Sequence, residues 1–205
     1  MTDIAKNDLL QSILQAQDAN EYASCLTDRA LLDAFELPAE VDFSSLEQVK
    51  CKWSFPGKIR WVKRWFQSAT TLLPENVTLH FPLWSKHGCH MDDKGNVSFP
   101  LSAFLKRFDP LVKYVFHETA HLYLAKQVTY KDLLALDKLF LSAYGEREKA
   151  ICLSPVEYFA SLLSIRLLER AAKTLGETRL AKRLLMQKGV EERKLMRALD
   201  AFVAE

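Results

Sequence analysis

Residues His117-Glu118-Thr119-Ala120-His121 place two imidazoles and a carboxylate on about one helical turn. At ~100° per residue, histidines four apart lie ~40° apart around a helix axis, so both rings can reach one metal ion. Glu118 falls ~60° from His121 on the same side, where it can take a proton from a metal-bound water without being a ligand itself. Between Tyr114 and Tyr123 no charged side chain occurs outside the pentapeptide. A buried site needs such flanks, because an unpaired charge there is costly to desolvate. The alternative is a surface or core helix that carries two histidines by chance.

The chain must supply a helix for the pentapeptide and a frame around it. Hydrophobic periodicity and turn residues predict two amphipathic helices over 6–35 with a break near Asn20, and a linking segment over 36–56. A helix is expected from Lys58 to Leu73, with Ile59, Val62, Trp65 and Phe66 at core-like spacing. Val77–Phe81 and Val97–Leu101 alternate as strands, separated by an Asp92–Asn96 turn, with Pro100 suggesting a strand end. The pentapeptide falls in a helix from about Leu111 to Lys126, followed by helices near 130–143, 154–175, 177–187 and 190–203. The fold class expected is α+β, mostly α.

This order, with the HExxH pattern, resembles the zincin metallopeptidase core over roughly residues 56–170. The resemblance implies a small antiparallel sheet over the motif helix, its edge strand bordering a substrate cleft. It also implies a Zn²⁺ cofactor and hydrolysis of a peptide or protein substrate. The division that follows is an N-terminal helical extension over 1–55 and a zincin-like metallopeptidase domain over 56–205, with C-terminal helices.

Catalytic zinc takes three protein ligands and a water. One zincin branch extends the pattern to HExxHxxGxxH, but Leu124 and Gln127 stand at the glycine and third histidine positions here. The gluzincin branch instead takes a glutamate from a later helix. Glu157, in Ser154-Pro155-Val156-Glu157-Tyr158-Phe159-Ala160, is similar to the third ligand of the lethal-factor-like gluzincins. That group carries a Tyr-Gly before the glutamate, whose hydroxyl stabilises the oxyanion, and Tyr144-Gly145 matches it. Two departures stand out: Tyr144 lies thirteen residues before Glu157, further than the group's spacing, and the acidic position four after the glutamate is Ser161. Tyr158, Tyr123 or a histidine are the other candidates for the oxyanion. Glu157 has a second reading, because Ser154-x-x-Glu157 with Pro155 at the first helical position is also a capping box. Glu146 and Glu148, then Asp132 and Asp137, are the fallback ligands. On the leading reading His117, His121 and Glu157 hold the metal, Glu118 is the base and Tyr144 assists.

Other clusters carry less. His87-Gly88-Cys89-His90 is too tight for a tetrahedral site and reads as a loop near the cleft. Trp53–Phe66 interleaves aromatics with Lys52, Lys58, Arg60, Lys63 and Arg64, a pattern that binds single-stranded nucleic acid but also describes an amphipathic helix. Residues 166–199 hold ten Lys or Arg against four Glu. The net charge of +2 gives no global pull toward nucleic acid. Cys25, Cys51, Cys89 and Cys152 form no CxxC, which argues against a disulfide framework or zinc ribbon. With no signal-peptide pattern and no long apolar run, the chain reads as cytoplasmic and without a membrane segment. The competing reading keeps the fold and drops catalysis, leaving a zincin-like regulatory or interaction module.

Overall fold

The computed structural model describes residues 12–13, 15–16, 18–28, 37–47, 54–74, 77–86, 88–92, 95–127, 130–144 and 153–204, without the side chains of 127, 130–133 and 136. Helices dominate. They are α1 (Ala19–Thr27), α2 (Ser44–Glu47), α3 (Phe55–Ser68), α4 (Phe108–Gln127), α5 (Tyr130–Tyr144), α6 (Pro155–Thr174) and α7 (Arg179–Val203). Strands β1 (Thr78–His80), β2 (His90–Met91) and β3 (Asn96–Ser98) and a 3-10 helix over Leu101–Leu105 lie between α3 and α4. The mostly helical α+β expectation holds.

Local chemistry explains the element starts. Asp18 accepts the Glu21 N–H at 2.9 Å and begins α1, two residues before the expected break at Asn20. Ser54 accepts the Gly57 N–H at 3.3 Å, and Pro56 sits in the first turn, so α3 begins at Phe55 rather than Lys58. Much of the expected 6–35 helical stretch lies outside the described residues.

The sheet corrects the antiparallel expectation. Its order is β1-β3-β2, with β1 parallel to β3 and β2 antiparallel to β3. The two strands expected to pair do pair, but a third strand intervenes in sequence. β2 reverses into β3 through a turn in which Asp92 accepts the Asn96 N–H at 2.8 Å, which leaves β1 the far edge of β3, where it pairs in parallel. At two residues β2 is too short for alternation to reveal.

The expected break near 187–190 is absent, and α7 runs as one helix. Leu180, Ala181 and Leu184 are buried before Gly189 and Leu199 and Phe202 after it, with Leu195 and Ala198 partly buried against the core. Gln187–Glu191 and Lys188–Glu192 pairs, each four apart, span the glycine. Packing therefore outweighs the roughly 1 kcal/mol helix penalty of glycine.

α4 lies along α6, and α7 covers both. Phe116 and Phe159, fully buried, sit at the α4 and α6 sides of this core. α3 closes a third side: Trp65 approaches Phe116 at 4.9 Å and Phe43 at 5.8 Å. The Trp65 indole N–H donates to Thr119 Oγ1 at 2.9 Å, and Thr119 donates to the Val115 carbonyl at 2.7 Å. Thr119 lies inside the pentapeptide, so this bond fixes the rotation of the motif helix. The Tyr158 hydroxyl donates to the Leu26 carbonyl at 3.1 Å and the Tyr22 hydroxyl to Leu153 at 2.8 Å, tying α1 to the start of α6.

Candidate metal centre

The second half of α4 presents His117, Glu118 and His121, and the first turn of α6 presents Glu157. The two imidazole Nε2 atoms lie 3.2 Å apart. Glu157 Oε2 is 3.2 Å from His117 Nε2, and its Oε1 is 3.4 Å from His121 Nε2. A tetrahedral ion with bonds of ~2.05 Å has ligand–ligand edges of ~3.3 Å, and these contacts, made through the two oxygens of Glu157, are of that size. The protons point the same way. One N–H per ring cannot satisfy both the facing nitrogen and the shared carboxylate, whereas a cation between them uses all three lone pairs. His117, His121 and Glu157 are thus a group that could hold a metal ion. Two nitrogens and one carboxylate form a borderline donor set that suits several first-row divalent metals.

Glu157 is not the helix cap. Ser154 makes no side-chain capping bond, and Asp137 of α5 accepts the Val156 N–H at 3.1 Å. Asp137 therefore provides the cap from another helix and leaves the Glu157 carboxylate to the histidines. Burial alone would raise the Glu157 pKa, but hydrogen bonds from His117 and His121 outweigh it and hold the carboxyl well below the usual range. Burial pushes both histidines down. His121 nevertheless ends above its ordinary value, because Glu157, Glu118 and Asp137 all favour its charge, whereas His117 stays lowered beside it.

Glu118 is 2% exposed, and its Oε2 has no hydrogen-bond partner among the described residues. Burial pushes its carboxyl up to about 7, with His121 pulling the other way. The Nδ1 atoms of His117 and His121 are also buried without partners. Among the described residues no group orients either ring through Nδ1, so the rings are held by packing and by their Nε2 contacts with Glu157. A cleft of about 460 Å³ opens onto these groups, and Glu157 retains 38% side-chain exposure at its mouth. Cys89, His90 and Met91 line one wall, Leu134 and Asp137 another.

The remaining candidates lie elsewhere. Tyr144 packs on Phe140 at 4.9 Å and Phe202 at 4.9 Å, in an aromatic cluster with Tyr22 that does not line the cleft. The Tyr158 hydroxyl is committed to Leu26, and Tyr123 is buried. His90 is the histidine of the loop cluster that reaches the cleft, its Nδ1 3.2 Å from the Gly88 carbonyl. His87, Gly145, Glu146 and Glu148 lie outside the described residues, as does the Asp132 side chain. Sequence reasoning missed two positioning groups, Trp65 and Asp137, because each acts on a distant segment through a single hydrogen bond. Comparison with known proteins gives no match to a family model, a curated protein or a solved structure.

Proposed function

We propose that the chain is a zinc-dependent peptidase of gluzincin type, with His117, His121 and Glu157 as ligands and Glu118 as general base. The observation that carries the reading is the cluster of His117, His121 and Glu157 donors, in contact at 3.2–3.4 Å, beside the buried Glu118 oxygen that has no partner among the described residues. Zinc bound there supplies Lewis acidity and brings the pKa of a water toward ~7. Glu118 receives the proton of the attacking water and passes it to the leaving amine. Its Oε2 is suited to this because no internal donor competes for it. The edge strand β2 offers backbone groups along the cleft wall to an extended peptide. With Tyr144 in the aromatic cluster, the oxyanion contact falls to His90, the ring that lines the cleft outside the ligand set.

The test combines metal analysis with turnover. Protein purified without chelator carries about one zinc per chain and hydrolyses an unstructured protein substrate. Glu118→Gln keeps the zinc and loses about 10²–10⁴-fold in turnover. Unchanged turnover removes Glu118 from the mechanism. Zinc binding with no hydrolysis by the wild-type chain supports the non-catalytic module instead.

A further inference from the structure

The basic aromatic stretch of α3 is not used by the metal centre, and it takes the amphipathic form that its sequence allows. Trp61 and Trp65 are buried in the core, so they cannot stack on bases. Among the exposed apolar groups, Leu83 at 83%, Trp84 at 73%, Leu105 at 78% and Phe55 at 36% lie apart from those on α5 and α7. They belong to one end of the molecule. The Leu101 N–H donates to the Pro82 carbonyl at 2.9 Å, joining the Leu83-Trp84 loop to the 3-10 helix that ends at Leu105. Phe104 then contacts Phe81 at 5.8 Å and Phe55 at 5.9 Å, bringing in the start of α3.

Cations surround this apolar end. Lys63 Nζ sits 5.5 Å above the Phe81 ring, and Arg60 and Arg64 flank it on the exposed face of α3. Lys86, Lys106 and Arg107 are exposed beside the apolar tips. Across residues 54–74, 77–86, 88–91 and 95–108 there is no Asp or Glu. A chain of net charge +2 has thus gathered six exposed cations here, of which Arg107 is paired with Asp109 at 3.5 Å.

We propose that this face docks on an anionic membrane surface, with Leu83 and Trp84 entering the headgroup–acyl boundary and the cations resting on the headgroups. Exposed leucines have no role in stacking on nucleic acid, yet they partition readily into a bilayer interface. The binding is peripheral, because among the described residues no helix is long and apolar enough to cross a membrane. Each cation near an anionic surface adds about fivefold to partitioning, so several acting with two inserted side chains give reversible attachment. The Leu83-Trp84 loop runs on into Cys89–Met91, so docking brings one wall of the metal cleft toward the bilayer.

The test is co-sedimentation of the full chain with vesicles of phosphatidylcholine alone or of equal parts phosphatidylcholine and phosphatidylserine. The chain sediments with the anionic vesicles, and high salt releases it. The double variant Leu83→Ser/Trp84→Ser loses about tenfold or more in partitioning. Lys63→Glu/Lys86→Glu loses a comparable factor. All four positions are exposed, and wild-type circular dichroism verifies that both variants fold. No sedimentation at low salt, undiminished binding by the apolar variant, or retention of single-stranded DNA but not of vesicles each overturns the proposal.

Discussion

Two glutamates beside the motif helix have opposite surroundings. Glu191 of α7 receives Lys113 Nζ at 3.3 Å, Gln187 Nε2 at 2.9 Å and Lys194 Nζ at 3.5 Å. Glu118, five residues after Lys113 on α4, is more deeply buried and leaves Oε2 with no partner. Burying an unsatisfied acceptor costs about 1–3 kcal/mol, and more when the group is charged. A fold can carry that cost where the group is needed for chemistry. Glu191 therefore reads as a tie between helices, and the proposed function makes Glu118 the group held for chemistry.

The strongest way to break this comparison is to remove a ligand. His121→Ala leaves two donors, and metal affinity falls by more than about 100-fold, since even supporting residues outside the ligand set are worth ~10–100-fold. Emission spectrometry after desalting reads the loss directly. Equal metal content in wild type and variant dissolves the site altogether. Next in size is Thr119→Val, which keeps the shape of the side chain and strands the Trp65 indole N–H in the core. Urea unfolding registers a loss of about 2 kcal/mol. If stability does not change, the α3–α4 bond has no part in orienting the pentapeptide.

Thr119 also marks where the sequence became illegible. The HExxH residues are positioned by helical spacing alone, so His117, Glu118 and His121 could be placed on one face without knowing the fold. Glu157 was ambiguous because Ser154 and Pro155 offered it a local role as a cap. The choice depends on Asp137, nineteen residues before Val156, which takes the cap from another helix. The Trp65–Thr119 bond spans 54 residues and has no local signature. Tyr144 was placed by resemblance across a spacing that already differed, and its ring joins Phe140 and Phe202 through contacts that no periodicity in its own segment encodes. The mixed sheet was hidden for a simpler reason: a two-residue strand has no period.

A matched pair of substitutions tests the two glutamates against each other. Glu191→Gln weakens the half-buried pair with Lys113 and lowers stability by about 1–2 kcal/mol. Glu118→Gln costs no stability in the metal-free protein, because a neutral amide is cheaper than a carboxylate to keep buried without partners. Chemical denaturation of both variants with chelator present separates the two. Losses of equal size would mean that Glu118 is another structural carboxylate.

The smallest effect sharpens the comparison from the other side. Gly189 lies inside α7, two residues before Glu191, and its backbone is helical. A Cβ added there would come no closer than 3.4 Å, and only to the tip of the flexible Arg193 side chain. Gly189→Ala therefore removes a helix penalty without a clash and raises stability by about 0.5–1 kcal/mol. The gain stiffens the helix that presents Glu191, and it leaves the donor triangle on α4 and α6 unchanged. Thermal unfolding should rise while metal content and turnover stay at wild-type values. A change in turnover would instead mean that the segment tied through Glu191 and Lys113 reaches into the reacting site.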